Sequence, residues 1–348
     1  MTSGERRLEA PHRRGEARSR ILERSVVLVY RAGAWVLRTV PARPAGALLG
    51  LGAQASYLLW PTKRAWSDRN FGHVLGLPPD HPRVRRLALR AYRTYGAYLV
   101  ELMRVPFMRP ADIIKLVDPI DGDAARRILD ASPEGGLILT VGHVGNNDVI
   151  GAAIADLGLP LSVVADDSSF PELFKLLKSQ REQWHATLIP WRNLRAIFGV
   201  LRRREMLGLL VDWGYRSDGI PVQLFGAWTT LPAGPATLAA KTHSRILPIM
   251  TTRQPNGRLR VGWGDPITVA SSDPAELQRA TQAVADALAD TIRPAPEQWY
   301  SFKPIWPETA EEAADLERRA RAMQAGQRDP GPALGSEERN GMDVDDAP

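Results

Sequence analysis

His143 and Asp148 are residue types that together can move a proton, and they stand five positions apart in the segment His143-Val-Gly-Asn-Asn-Asp148. If the chain folds back across the glycine, the Asp148 carboxylate would accept a hydrogen bond from one imidazole N–H and stabilise the imidazolium. The other ring nitrogen of His143 could then take a proton from an alcohol, a step worth about 10²–10⁴-fold in rate. Asn146 and Asn147 favour turns and helix N-caps, so we expect a helix to begin at this point.

The spacing of this pair is also compatible with other arrangements. A His and an Asp at this separation occur as a solvated loop pair, or as metal ligands, although no third ligand has a distinctive spacing. The sequence offers no nucleophile motif, since it contains no Cys and no Gly-x-Ser-x-Gly segment. It also lacks a Gly-Lys-Ser/Thr phosphate loop. A base without a protein nucleophile suggests that a hydroxyl of the substrate itself attacks.

Short apolar runs alternate with helical segments after residue 119, and they predict the elements that would position His143. We expect strands at 136–140, 161–164, 206–211, 246–250 and 258–262, and helices at 151–158, 171–183, 233–242 and 274–293. This alternation predicts an α/β fold with a central, mostly covered β-sheet flanked by helices. Active sites in such sheets lie beyond the carboxyl ends of strands, and His143 stands three residues after the first of these strands.

The N-terminal third is strongly basic, with 20 Lys and Arg against 7 Asp and Glu in residues 1–110, a net charge of +13. Such a charge suits nucleic acid or an anionic membrane surface. The arginines are interleaved with aliphatic residues, and Trp35 and Trp60 accompany apolar stretches, as expected of interfacial helices. We therefore predict a helical membrane-associating region and no nucleic-acid partner. Neither apolar stretch is a convincing membrane span. The alternative is that these segments are buried helices of a soluble domain.

Composition divides the chain into four regions. We expect a disordered basic tail at 1–20, the helical membrane-associating region at 21–110, an α/β catalytic domain at 111–307 and a charged, mostly disordered tail at 308–348. The last region carries 5 Lys and Arg against 11 Asp and Glu, and a helix is possible at 309–327. The charged run after Met1 has no apolar core of the kind that a signal peptide needs.

Further motifs occur in a fixed order around the central segment. They are Arg69-Asn70, Tyr92-Arg-Thr-Tyr-Gly-Ala-Tyr-Leu-Val-Glu101, His143-Val-Gly-Asn-Asn-Asp148, Asp212 with Arg216, Phe225-Gly226, Leu231-Pro-Ala-Gly-Pro-Ala236, Pro248 and Pro296-Glu-Gln-Trp-Tyr300. In these motifs, over about residues 22–307, the chain resembles the bacterial lipid A late acyltransferases and phosphatidylinositol mannoside acyltransferases. That family shares a His-x4-Asp motif with the glycerolipid acyltransferases.

The resemblance implies that a fatty acyl chain moves from an acyl thioester, of coenzyme A or of an acyl-carrier protein, to a hydroxyl of a glycolipid or phospholipid. His143 would be the general base, Asp148 would orient it, and backbone N–H groups near 145–147 would stabilise the oxyanion. No cofactor and no metal are expected. We assign substrate-binding or supporting roles to Asn146, Asn147, Asp166, Arg181, Asp212 and Arg216, the two arginines as ligands of phosphate or sugar. The expected location is the cytoplasmic face of the cell membrane, as a peripheral or monotopic protein.

Two positions depart from the pattern of the family. Asn147 stands where relatives usually carry an aromatic or another apolar residue, and Ala227 stands where several relatives carry an acidic residue. Because Ala227 is not acidic, the second catalytic acid of the family has no clear counterpart here. Asp212 or Asp218 is the residue that could take its place. A non-catalytic lipid-binding protein and an acyl-thioester hydrolase on the same fold are the alternative functions.

Overall fold

The computed structural model describes residues 10–130, 135–167, 171–184 and 186–332, with side chains from residue 25 onward. In this part of the chain, four long helices precede a central β-sheet and the helices that cover it. The basic tail predicted for 1–20 lies partly outside the described residues, and helix α1 (Ala10–Thr39) begins within it. Of the C-terminal tail predicted for 308–348, residues 333–348 lie outside the described residues.

The N-terminal region is helical, as predicted, and continues from α1 into α2 (Ala42–Leu59), α3 (Pro61–Leu75) and α4 (Pro82–Arg104). Helices α3 and α4 begin at prolines, because proline in the first turn lacks only an N–H that would have no helical partner. Helices α2 and α4 pack with their backbones nearly in contact, since a Cβ atom on Gly96 would lie only 2.2 Å from the nitrogen of Gly50. Among the described residues, no helix combines the length and the hydropathy that a membrane span requires.

Eight strands follow these helices in the described part of the chain. They are β1 (Leu137–Val141), β2 (Leu161–Ala165), β3 (Ala186–Pro190), β4 (Met206–Leu210), β5 (Ile220–Leu224), β6 (Ala227–Leu231), β7 (Arg245–Arg253) and β8 (Leu259–Trp263). Six of them form one sheet of order β3-β2-β4-β1-β7-β8, in which only the edge strand β8 is antiparallel. Strands β5 and β6 form a separate antiparallel hairpin. Because β1 pairs with β4, the loops that follow these two strands are neighbours.

Helices cover both faces of the sheet. The helices after α4 are α5 (Pro110–Ile114), α6 (Gly122–Asp130), α7 (Asn147–Asp156), α8 (Pro171–Glu182), α9 (Leu194–Arg202), α10 (Gly234–Thr242), α11 (Pro274–Ile292) and α12 (Ala310–Gln324), and the last of them packs on the β5–β6 hairpin and α11. Alternate residues of β1 point to opposite faces, so Ile138 joins one core with Val284 of α11, while Leu139 joins a second core with Ile154 of α7. The central strands are therefore apolar on both sides, as parallel strands in a covered sheet must be.

The predicted α/β class, with a mostly parallel sheet and flanking helices, is confirmed. The sequence did not predict β3, α9 or the β5–β6 hairpin. Strand β5 contains Pro221, which cannot donate to a strand partner and is therefore a poor strand signal. The hairpin turns at Phe225 and Gly226, whose φ angles of 51° and 77° are those of the tight turns that connect antiparallel strands.

Candidate active site

His143 and Asp212 lie together because the strands that precede them are paired. Strands β1 and β4 run in parallel as far as Val141 opposite Leu210, so both chains leave the sheet at the same edge. The N–H of Val211 extends the pairing by donating to the carbonyl of Val141 at 3.1 Å. Beyond this point Nδ1 of His143 donates to Oδ1 of Asp212 at 2.6 Å. A histidine–carboxylate pair thus stands at the carboxyl end of the sheet, where α/β folds place their sites.

Asp212 is a fully buried carboxylate that accepts hydrogen bonds on both oxygens. The backbone N–H of His143 donates to its two oxygens at 3.1 and 2.9 Å, and Nε1 of Trp299 donates to Oδ2 at 2.7 Å. Burial by itself would raise the pKa of Asp212, but the charge of His143 and these hydrogen bonds outweigh it and lower the pKa. Asp212 is therefore held as an anion beside Nδ1 of the imidazole.

The imidazole of His143 keeps 24% of its side-chain surface exposed to solvent. Burial lowers its pKa, whereas the charge and hydrogen bond of Asp212 raise it, and Lys303 opposes this increase; the pKa is raised on balance. The indole of Trp213 lies 5.6 Å from the imidazole between ring centroids, and Nζ of Lys303 lies 4.6 Å from the centroid of that indole. With Nδ1 occupied by Asp212, Nε2 is the ring nitrogen left to exchange a proton with a substrate.

Asp148 pairs with Arg181, which corrects the contact with His143 expected from the sequence. Nε of Arg181 donates to Oδ1 of Asp148 at 2.6 Å, and the two side chains are only 20% and 12% exposed. Burial would lower the pKa of Arg181, but Asp148 raises it, so the guanidinium remains charged. Asp148 lies in the first turn of α7, where its carboxylate meets α8, and Asp212 of the neighbouring strand end takes the place beside the imidazole.

The backbone around His143 is fixed by a bend that requires glycine. Gly145 has a φ of +68°, and a Cβ atom at this position would lie 2.8 Å from Cγ2 of Thr251. The N–H of Gly145 donates to the carbonyl of Gln298 at 3.2 Å, and the carbonyl of His143 accepts from the N–H of Tyr300 at 2.8 Å. The chain on either side of His143 is therefore anchored to the C-terminal part of the domain.

Asn146 and Asn147 shape the start of α7. Oδ1 of Asn146 accepts from the backbone N–H groups of Asp148 and Val149 at 3.1 and 3.2 Å, so Asn146 is the N-cap of this helix. Nδ2 of Asn147 donates to the carbonyl of Gly142 at 3.0 Å, which closes the loop that carries His143. Both asparagines support the loop, and a role for them in binding substrate stays a prediction.

Glu101 ties the N-terminal helices to this loop. Nδ2 of Asn146 donates to Oε2 of Glu101 at 2.9 Å, and the guanidinium of Arg253 donates to both carboxylate oxygens at 2.8 and 2.5 Å. Gln298 completes the network, because its side chain bonds both the N–H and the carbonyl of Arg253. Glu101 of α4 thus holds the N-cap of α7 and the end of β7 at fixed positions.

The other residues predicted for the site lie apart from the imidazole. Asp166 is exposed after β2. Arg216 pairs with Asp218 through two hydrogen bonds of 2.9 Å, and both side chains are more than half exposed. Neither shares a hydrogen bond with His143 or Asp212 within the described residues. In the same residues, no group of three or more His, Asp and Glu could hold a metal ion.

A sequence model of bacterial lipid A biosynthesis acyltransferases matches residues 13–308, which include all the residues of this site. The chain belongs to that family. It is therefore an acyltransferase, and the family resemblance carried by the sequence motifs is confirmed.

Two relatives cover most of this acyltransferase. The phosphatidylinositol mannoside acyltransferase of Mycolicibacterium smegmatis is 29% identical over 303 residues, which make up 84% of this chain and 94% of the relative. The phosphatidylinositol mannoside acyltransferase of Mycobacterium tuberculosis is 27% identical over 334 residues, or 93% of this chain and 99% of the relative.

Three residues of the candidate site received no role from the sequence: Glu101, Trp299 and Ser301. The hydroxyl of Ser301 donates to the backbone carbonyl of Asp212 at 3.1 Å, next to the bond from Trp299. Glu101 and Trp299 both stand within the family motifs, so the sequence marked them as residues of interest. Their spacing from His143 does not, however, predict a contact with it. Their contacts depend on how distant segments fold together.

Proposed function

We propose that this acyltransferase moves a fatty acyl chain from an acyl thioester to a hydroxyl of a glycolipid or phospholipid, with His143 as general base and Asp212 as its orienting residue. The observation that carries the proposal is the 2.6 Å hydrogen bond from Nδ1 of His143 to the buried Asp212. This bond selects the tautomer in which Nε2 carries the lone pair, and Nε2 is the nitrogen that can accept a proton.

The reaction then balances without a covalent enzyme intermediate. Nε2 of His143 takes the proton of the acceptor hydroxyl while the hydroxyl oxygen attacks the carbonyl carbon of the thioester. Asp212 stabilises the resulting imidazolium. When the tetrahedral intermediate collapses, the C–S bond breaks, and the departing thiolate receives the proton from Nε2. The acceptor leaves as an ester and the donor leaves as a free thiol.

Backbone N–H groups at the start of α7 would stabilise the oxyanion of the tetrahedral intermediate. The N–H of Gly145 already donates to the carbonyl of Gln298, so it is not available. The N–H groups of Asn146 and Asn147 come next in the chain, at the positive end of the α7 dipole. Donors of this kind are worth about 10²–10³-fold each when they are aimed at the developing charge.

Asp148 acts in this proposal by holding Arg181. Its carboxylate occupies Nε of the guanidinium, which has two further nitrogens able to bind a phosphate or the hydroxyls of a sugar. The names of the two relatives, both phosphatidylinositol mannoside acyltransferases, support a phosphorylated glycolipid as the acceptor. Arg181 is therefore our candidate for recognition of the acceptor head group.

The acyltransferase would meet its lipid substrates at an anionic membrane surface. Large apolar side chains are exposed on one side of α1 and on one side of α2, and we call them together the apolar N-terminal face: Leu28, Val29, Trp35, Val36, Leu48, Leu51, Leu58 and Leu59. Their spacing places those of each helix on a single stripe, opposite the buried Tyr30 and Tyr57. Together with the basic N-terminal third, this face supports a peripheral or monotopic attachment at the cytoplasmic face of the cell membrane.

The function is tested with the purified full-length protein on vesicles that contain phosphatidylinositol and its mannosides. Palmitoyl coenzyme A and palmitoyl-carrier protein are supplied in separate reactions, and mass spectrometry detects the acylated lipid. We expect an acylated glycolipid with at least one donor, and loss of the product in His143→Gln at unchanged folding and vesicle binding. Free palmitate without acylated lipid would indicate a thioester hydrolase, and lipid binding without turnover would indicate a non-catalytic protein.

A further inference from the structure

Arg319 is a buried charge on the C-terminal helix α12, with only 1% of its side chain exposed. Buried guanidinium groups occur in proteins only when they are fully paired. Arg319 meets this condition: Nη1 donates to the carbonyl of Ser217 at 2.6 Å and Nη2 to the carbonyl of Gly219 at 2.9 Å. Nε and Nη2 also donate to the two carboxylate oxygens of Asp329, at 2.8 and 2.6 Å.

The position of α12 is fixed independently of Arg319. Thr309 and Glu312 form a reciprocal cap at its start, and Leu316, Ala320 and Met323 are buried on the face that packs against the β5–β6 hairpin and α11. The helix therefore brings Arg319 to a defined place. The family match ends at residue 308, before α12 begins.

The carbonyls that Arg319 holds belong to the loop that carries Asp212. This loop joins β4 to β5 over residues 211–219, with Asp212 near its first end and the contacts of Arg319 at its second. Between these ends, the N–H of Tyr215 donates to the carbonyl of Pro304 at 2.8 Å. Thr230 bonds both the N–H and the carbonyl of Arg216. Trp299 and Ser301 hold the first end of the loop at Asp212, and Arg319 supplies two contacts at its second end.

We propose that Arg319 is a positioning residue for acyl transfer, because it fixes the loop that presents Asp212 to His143. Arg319 acts through the backbone of the loop and touches neither the substrate nor the imidazole. The inference rests on the proposed roles of His143 and Asp212. Helix α12 would then contribute to acyl transfer by positioning Asp212.

Arg319→Lys is the first variant that tests the inference. An ammonium retains the charge but cannot reach two carbonyls and both oxygens of Asp329 in the planar fork of a guanidinium. The loop would relax, and a displacement of about 1 Å at Asp212 can lower the rate by on the order of 10²-fold. We expect kcat to fall at least about tenfold with KM unchanged. Among the described residues, the charge of Asp212 raises the pKa of His143 and that of Lys303 lowers it, so a weaker contact with Asp212 lowers this pKa and moves the acidic limb of the rate profile to lower pH.

Arg321→Lys is the matched control, since Arg321 lies on the same helix with an exposed side chain paired to Glu317. It should leave kcat and the pH profile unchanged. A smaller change of the same sign is expected for Asp329→Asn, which loosens the guanidinium but leaves an acceptor in place. This variant keeps the inference testable if Arg319→Lys does not fold. Unchanged kcat and an unchanged acidic limb in whichever of the two variants folds would overturn it.

A double variant separates this inference from the proposed function. If Arg319 acts through Asp212, Arg319→Lys should have little further effect on kcat in an Asp212→Asn background, because the contact that it supports is already lost. Equal fold-losses in both backgrounds would overturn the inference and leave the His143–Asp212 pair intact. Full activity of the single variants His143→Gln and Asp212→Asn would instead overturn the proposed function.

Discussion

At the scale of single residues, two carboxylates near His143 have separate partners. Asp212 bonds the imidazole, and Asp148 bonds Arg181. A carboxylate that touches the imidazole sets its tautomer and pKa, whereas a carboxylate that holds an arginine sets the geometry of an anion-binding group. Removing the charge of Asp212 and removing the charge of Asp148 should therefore change the kinetics of transfer in different ways.

Replacement of Asp148 by Asn should raise the KM for the acceptor lipid and leave the pH profile in place. The amide weakens the hold on Arg181, and a hydrogen bond to a charged group is worth about 1.5–3 kcal/mol, so we expect KM to rise about tenfold or more. Steady-state kinetics with varied glycolipid measures this change. Asp156→Asn, at the exposed C-terminal end of the same helix, is the control and should behave as the wild type. A lower kcat together with a shifted acidic limb would instead show that Asp148 acts on His143.

The sequence predicted a base at His143 because its segment combines an imidazole, a glycine bend and a helix start after a strand. It did not identify the partner, because Asp212 lies 69 residues further along the chain and meets His143 only through the pairing of β1 with β4. Asp148 was the nearer carboxylate in the sequence, but a residue in the first turn of a helix points where the helix directs it. Sequence distance is a poor guide to contacts between strand ends.

At the scale of elements, the loop between β1 and α7 depends on the backbone of Gly145. Alanine at this position would have to adopt a left-handed φ, at a cost of about 1–2 kcal/mol. Its Cβ atom would also meet Cγ2 of Thr251 at 2.8 Å. The second penalty arises from packing and adds about 1–3 kcal/mol.

Gly145→Ala should therefore lower the free energy of unfolding more than Gly158→Ala does. Gly158 has a similar φ of +73°, but a Cβ atom there would meet nothing within 4 Å, so its replacement costs only the backbone strain. Urea unfolding of both variants isolates the packing penalty as the difference between them. We also expect Gly145→Ala to lower kcat, since the loop carries His143, and Gly158→Ala to preserve it. Equal destabilisation by the two substitutions would mean that the loop moves freely beside Thr251.

Strands that are continuous apolar runs could be predicted from the sequence, whereas elements that depend on tertiary contacts could not. The strands after residue 136 that are continuous apolar runs, such as β1 and β4, appear where the sequence placed them. The β5–β6 hairpin was missed because Pro221 interrupts its first strand. Its turn contains Phe225 with a positive φ, which bulky residues rarely adopt.

At the scale of the whole molecule, charge and apolar surface coincide in the N-terminal third. Residues 1–110 carry a net charge of +13, and the apolar N-terminal face lies on the first two helices of this region. A membrane that attracts the arginines would also bury the exposed leucines, each worth about 1.5–3 kcal/mol. The electrostatic and the apolar contributions to membrane binding differ in their response to salt, because salt screens only the electrostatic contribution.

Leu51→Glu should weaken binding to anionic vesicles at least about tenfold, since a charge replaces an apolar group that would enter the membrane interface. Leu194→Glu is the matched control: Leu51 and Leu194 are both 59% exposed, but Leu194 lies on α9, outside the apolar N-terminal face. Sedimentation with vesicles of phosphatidylglycerol and phosphatidylcholine measures both variants. Equal losses would place the contact elsewhere, and no loss in either would contradict a membrane role for this face.

We expect Asp212, and not Asp148, to be the carboxylate that sets the pKa of His143. The His143 imidazole can be titrated by nuclear magnetic resonance in the wild type, Asp212→Asn and Asp148→Asn, with acyl transfer measured on the same samples. Because Asp212 raises the pKa of His143, its replacement should lower that pKa, and transfer should fall by about 10²–10⁴-fold. Asp148→Asn should leave the titration unchanged. A His143 titration that shifts in Asp148→Asn and stays in place in Asp212→Asn would show that Asp148, and not Asp212, sets the pKa of the imidazole.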